Sequence, residues 1–161
     1  MSPPYEEILY GEKFTRCGPG PHHEAICNRL HALLAECLER VLTSHLLAIR
    51  EKIELGPRVS VRPDLTLIAT ATGKPWLIAE VIDSEDHHTD TVLKKTIYEE
   101  CKLPRVWMID PRYNNVEIYH GTPYGLSLKH ILAQRDHLTD SLIPELHLAI
   151  PELFALGSEE R

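Results

Sequence analysis

Arg62-Pro63-Asp64-Leu65-Thr66-Leu67-Ile68 is followed, one short turn later, by Leu77-Ile78-Ala79-Glu80-Val81-Ile82. Both are short apolar runs bounded by turn residues, the pattern of buried strands. Each holds one carboxylate, Asp64 in the first and Glu80 in the second. Taking a carboxylate out of water costs several kcal/mol unless something compensates it. Two on adjacent strands call for a shared partner, and a divalent cation is the simplest. Thr70-Ala71-Thr72-Gly73-Lys74 joins the runs, and Gly73 is free to take positive φ. A three-residue loop over Ala71, Thr72 and Gly73 sets Thr70 opposite Lys74 and, counting down the ladder, Asp64 opposite Glu80. Cross-strand partners have Cβ atoms about 4.5–5.5 Å apart, and two carboxylates that close share a proton or a metal. One residue more or less in the loop spoils this register.

Outward from the hairpin, residues 1–20 read as a flexible N-terminal arm, with Gly18-Pro19-Gly20-Pro21 as a breaker before a helix. Ile26, Leu30, Leu33, Leu34, Cys37, Leu38, Val41 and Leu42 keep helical spacing and predict one amphipathic helix over residues 23–48. Residues 51–55 and 59–61 are short strand candidates around Gly56-Pro57. Asp83-Ser84-Glu85-Asp86-His87-His88 reads as a polar loop, with Thr89 or Asp90 capping a second helix that runs to about residue 101. Arg105-Val106-Trp107-Met108-Ile109 is a strand that turns through Tyr113-Asn114-Asn115 into Val116-Glu117-Ile118-Tyr119. Turns, short strands and a last helical turn near Pro151 complete the chain. The order predicts an α/β fold, a mixed central sheet flanked by helices, with a single domain over residues 21–157.

Composition narrows the class. A chain of 161 residues, 43% hydrophobic and 25% charged, is an ordinary globular protein. No run approaches the roughly 20 apolar residues of a membrane span, and the first residues lack the basic and apolar regions of a signal peptide. Cys17, Cys27, Cys37 and Cys101 have neither CxxC spacing nor the density of a disulfide scaffold, which predicts reduced thiols and a cytoplasmic location. A net charge of −7 argues mildly against a large nucleic-acid surface, although Lys94, Lys95, Lys102 and Arg105 gather basic charge in one segment.

Asp90, Lys94 and Tyr98 lie at i, i+4 and i+8, on one face of the second helix, which starts just after the Glu80 strand. An aspartate, a glutamate and a lysine around a cation suit phosphodiester hydrolysis: hard oxygens hold the metal, and the ammonium faces the charge that develops. His23 and Glu24, at the start of the first helix, are candidate outer ligands. His22-His23 with Cys27, or His87-His88, hold zinc-type ligand chemistry without completing a four-ligand set. By residue type alone, Asp64 as a strand-start cap and Glu80 in an ion pair with Arg62 or Lys94 stay open.

Pro63-Asp64, Glu80-Val81-Ile82, Asp90-x-x-x-Lys94-x-x-x-Tyr98 and Leu103-Pro104-Arg105-Val106-Trp107-Met108-Ile109-Asp110-Pro111 together resemble the bacterial putative restriction endonuclease family of the PD-(D/E)XK nuclease superfamily. The resemblance runs from about residue 20 to 155. It implies a restriction-endonuclease-like αβββαβ core, Mg²⁺ or Mn²⁺ held by Asp64 and Glu80, a catalytic Lys94, DNA as substrate and a homodimer. The superfamily's basic motif has lysine two residues after the second acid. Ile82 stands there, and Lys94 matches the family's lysine on the following helix. That departure keeps a second expectation alive: a catalytically inactive nuclease-fold module that binds nucleic acid or a partner.

Overall fold

The structure, a computed structural model, describes residues 3–82 and 88–155, with the side chains of residues 88–90 excepted. The chain begins with a hairpin, β1 (Tyr5–Leu9) and β2 (Glu12–Arg16), followed by helix α1 (Pro21–Cys37), β3 (Ser44–Leu46), β4 (Ile53–Gly56) and β5 (Val59–Val61). Next come β6 (Leu65–Ala69), β7 (Pro75–Val81), helix α2 (His88–Glu100), β8 (Arg105–Asp110), β9 (Asn115–Thr122) and β10 (Gly125–Ala133). The hairpin β11 (His137–Asp140) and β12 (Ile143–Ala149) and a short helix α3 (Ile150–Phe154) finish it. The central sheet has six strands in the order β10-β9-β8-β7-β6-β3. It is mixed, because β7 and β8, joined through α2, run parallel while their neighbours are antiparallel. Along the sequence, α1, β3, β6, β7, α2 and β8 trace an αβββαβ core. A smaller sheet, β2-β1-β5-β4, stands beside it.

Two apolar clusters flank the central sheet. On one face Ile26, Leu30 and Leu34 of α1 pack with Leu65, Leu67, Leu77, Ala79, Trp107 and Ile109, and β11, β12 and α3 close that layer. On the other, Ile97 and Tyr98 of α2 join Leu9, Ile53 and Val61 of the small sheet against Ile78, Val106 and Met108. Burying each leucine or isoleucine stabilises by about 1.5–3 kcal/mol. Strand β8 is buried throughout, which explains its unbroken apolar run. No described helix is long and apolar enough to cross a membrane.

Three expectations need correction. Residues 5–16 form a hairpin and not part of a flexible arm. Tyr10 (φ 53°) and Gly11 (φ 81°) make its two-residue turn, left-handed at both positions, so it suits the twist of the strands. The first helix ends at Cys37, not near residue 48. Leu42 continues the helical spacing yet is 87% exposed, and the chain has already left the helix to pair Ser44–Leu46 with β6. The strand after Gly125 is nine residues long and extends the central sheet, where only short strands were expected.

Candidate active site

The β6–β7 hairpin reaches the expected register by an unexpected route. Its turn is wider than the three-residue loop, with Ala69 N donating to Lys74 O at 2.9 Å and Gly73, at φ 69°, closing it onto Ala69 O. A bulge then intervenes: Ile68 faces Pro75 while Leu67 faces Leu77, so Trp76 is the extra residue. The wider loop and the bulge cancel, and Leu65 faces Ala79. One step further, Asp64 and Glu80 meet, and the carboxylate of each accepts from the backbone of the other's strand segment. Asp64 N donates to Glu80 Oε1 at 3.2 Å, and Val81 N donates to Asp64 Oδ2 at 2.8 Å.

Lys94 comes to this pair from α2. Its Nζ lies 2.5 Å from Glu80 Oε2 and 2.8 Å from Glu7 Oε2, and the residue is only 6% exposed. It is therefore a buried counter-charge, not a lysine whose head reaches water. Tyr98, one turn on and fully buried, donates its hydroxyl to Glu80 Oε2 at 2.8 Å. Glu7, on β1, also takes Arg16 Nε at 2.8 Å and the backbone N–H of Arg62 at 2.8 Å. Two cations, Lys94 and Arg16, thus face two acids, Glu7 and Glu80.

The electrostatics separate the carboxylates. Burial, then the neighbouring charges of Asp64 and Glu7, hold Glu80 above the usual glutamate range against the pull of Lys94. Asp64 goes the other way: burial is outweighed by the His23 imidazole, the Val81 N–H and Lys94, which hold it below the ordinary aspartate value. Glu7 is lowered as well, the cost of burial being exceeded by Lys94, the Arg62 N–H and Arg16. Burial opposes the Lys94 charge, yet Glu80 and the groups around it raise that ammonium well above the ordinary lysine value. Burial and the Glu80 charge keep the Tyr98 phenol neutral.

His23 sits behind Asp64. Its Nε2 lies 3.0 Å from Val81 O, which can only accept, so this nitrogen carries the proton. The same nitrogen is 3.4 Å from Asp64 Oδ2. Glu24 does not join the carboxylate pair; it is held by the Arg50 guanidinium, which also donates to Asp64 Oδ1 at 3.0 Å. Asp90 lies within α2, but its side chain is outside the described residues, as are the 83–87 loop and the His87-His88 pair. His22 is exposed.

A cavity of about 50 Å³ opens on this cluster, lined by Glu7, His23, Asp64, Glu80 and Lys94 together with Tyr5. That is room for an ion with little water. Asp64 and Glu80 offer about four lone-pair sites each. The protein donors named above take three on Asp64, counting His23, and three on Glu80, counting the Lys94 ammonium. Oxygen donors therefore remain for a hard cation, and the residues fit Mg²⁺ or Mn²⁺. Among the described residues, His23, Cys27 and Asp64 also bring nitrogen, sulfur and oxygen atoms within 4.8 Å of one another. That trio supplies three ligands, one short of a closed zinc set. Burial and the Asp64 charge push the Cys27 thiol up, while Arg50, its Nη1 3.9 Å from the sulfur, pulls it down.

Glu7, Arg16, Tyr5 and Arg50 were not singled out from sequence. The first three are carried by the N-terminal hairpin, for which the Tyr10-Gly11 turn was the available signal; the burial of Glu7 has no local mark in the sequence.

The sequence model of the family described as "Uma2: Putative restriction endonuclease" matches residues 3–151, a span that takes in the N-terminal hairpin. Among solved structures, a putative nuclease of Anabaena variabilis belonging to DUF820 superimposes with a TM-score of 0.78. The two chains are 18% identical, and the alignment covers 96% of this chain and 92% of that one, a likeness of fold. No curated protein matches the chain.

Proposed function

The chain belongs to the Uma2 family of putative restriction endonucleases, and from that membership we propose that it is a metal-dependent nuclease hydrolysing the phosphodiester bonds of DNA. The observation that carries the reading is the reciprocal lock of Asp64 and Glu80 with Lys94 beside them, over a cavity of ionic size. Asp64 and Glu80 would hold Mg²⁺ or Mn²⁺, which when bound neutralises phosphate charge and acidifies water. Asp64 stays ionised because its neighbours hold its pKa down. Glu80 must give up a proton more readily retained than usual before it can ligate. Lys94 keeps its charge and presents it to the non-bridging oxygens, where negative charge grows in the transition state. Tyr98 and the Asp64 N–H fix the Glu80 carboxylate, His23 and the Val81 N–H fix Asp64, and Glu7 holds Lys94; these are positioning roles.

The test is Asp64→Ala. Cleavage of plasmid and single-stranded DNA in Mg²⁺ or Mn²⁺ is expected to vanish while circular dichroism shows the protein still folded, at a midpoint lowered by the loss of the Arg50 and Val81 contacts. A wild-type protein inert on every form of DNA and RNA, and without calorimetric Mn²⁺ binding, would overturn the reading. A second reading, a binding module without chemistry, is favoured by Arg50 on Asp64 and by Ile82 at the usual lysine position. Its mark would be nucleic-acid binding indifferent to Asp64 and Glu80 substitution. A homodimer is part of the proposal, supported by the open edge of β10 with Leu128 and Ile131 exposed. So is a reducing, cytoplasmic setting, supported by four cysteines outside any disulfide.

A further inference from the structure

Beside the small acid-lined cavity runs a groove of about 730 Å³, bordered by Tyr5, Glu6, Ile8, Arg50, Lys52 and Arg62. The two openings share Tyr5, and Arg50 lines the groove while its guanidinium bonds Asp64, so the groove lies against the acid site. Arg50 is held there by a left-handed backbone, φ 55°, a conformation that a side chain other than glycine adopts at a cost. Charge along the groove opposes the chain's overall sign. The protein carries −7 in total, yet Lys52 is exposed and Arg62 spends a single guanidinium donor on the Arg50 carbonyl at 3.2 Å. Of the acids, Glu6 borders the groove but is drawn to Lys13 at 3.6 Å. Ile8, 38% exposed, and Tyr5 add apolar wall between these charges.

Cations interleaved with apolar and aromatic surface fit a strand in which phosphates alternate with bases. The volume is that of a site for one drug-sized ligand, enough for a few nucleotides of one strand and too small for a duplex. We propose that this groove binds single-stranded nucleic acid, with phosphates on Lys52 and Arg62, and feeds the following phosphodiester past Tyr5 to the carboxylates. The proposal rests on the nuclease reading for its direction, but binding is measurable without chemistry.

The experiment is fluorescence anisotropy with a labelled oligothymidylate of roughly ten nucleotides, in EDTA to prevent cleavage, across a salt series. Lys52→Glu is expected to weaken binding about tenfold or more and to flatten the salt dependence by about 0.7 in log–log slope per lost phosphate contact. Lys129→Glu, an exposed charge reversal on β10, should stay near wild type, and a duplex of equal length should bind more weakly. Equal losses in the two variants, or tighter binding of the duplex, overturn the groove. Single-strand binding that depends on Lys52 in a protein that never cleaves leaves the groove standing and removes the nuclease reading. Cleavage of single strands unaffected by Lys52→Glu does the reverse.

Discussion

Replacing Lys94 with methionine keeps the aliphatic stem and removes the ammonium from a balanced set of two cations and two acids. Arg16 still pairs with Glu7 at 2.8 Å, so Glu80 becomes the uncompensated charge. Stranding a buried ion by deleting its partner costs about 3–5 kcal/mol. Glu80 has a way to limit that cost, which is to take up a proton. From its ordinary value of 4.5 to pH 7 is 2.5 units, and at 1.36 kcal/mol per unit the proton costs about 3.4 kcal/mol. The loss at pH 7 is therefore about 3 kcal/mol, a fall in Tm of about 6–12 °C for a chain of this size. The folded variant binds one proton more than its unfolded chain, so its stability relative to wild type rises as the pH falls. The deficit should shrink by about 1.4 kcal/mol per unit until the pH reaches the raised Glu80 value of the wild type, below which both proteins hold the proton and the difference levels off. Urea unfolding, followed through buried Trp76 and Trp107, measures it at each pH. Glu80→Gln added to Lys94→Met should remove the pH dependence and restore most of the stability. A deficit that is flat between pH 5 and 8, or untouched by Glu80→Gln, would show that Lys94 is not the counter-charge of Glu80.

Because Glu80 is raised and Asp64 lowered, Mn²⁺ binding should release about half a proton when the pH equals the Glu80 value, rising towards one as the pH falls below it, and the ascending limb of the cleavage–pH profile should lie above the ordinary glutamate range. Calorimetry in buffers of different ionisation enthalpy reads the proton, and a limb at or below 4.5 refutes the assignment. Stability has two opposed carboxylate contributions in the metal-free protein. That of Asp64 is present at neutral pH and lost as the pH falls through its lowered value, whereas that of Glu80 is present in acid and lost as the pH rises through its raised one. Gly121→Ala should cost about 1–3 kcal/mol in thermal unfolding, since the added Cβ would stand 2.3 Å from the backbone oxygen of Leu103; an unchanged midpoint would show that β9 can shift away.

Sequence carried the hairpin register because a pattern of inward positions constrains it from both ends. Leu65, Leu67, Leu77 and Ala79 must all face α1, so the loop and the Trp76 bulge had to compensate. Lys94 and Tyr98 were legible for a similar reason, being one turn apart on a helix that a strand precedes. The end of α1 was not: Val41 and Leu42 keep its period, and only the distant demand of β6 for a partner at Ser44–Leu46 ends it. Glu7 was hidden because a buried acid in a five-residue strand looks like a solvated one until Lys94, 87 positions away, comes beside it. Arg50 gives no local sign at all; its left-handed backbone and its grip on Glu24 and Asp64 arise from tertiary contacts.

The hairpin at the start of the chain also bears on how the protein is handled. Trimming to Pro21, as if removing a tail, would strip Lys94 of one acid and take a wall from both openings. An affinity tag ahead of Pro3 would hang at the groove's rim, since Pro3 and Pro4 line it. Purification handles and fusion partners therefore belong at the other end of the molecule.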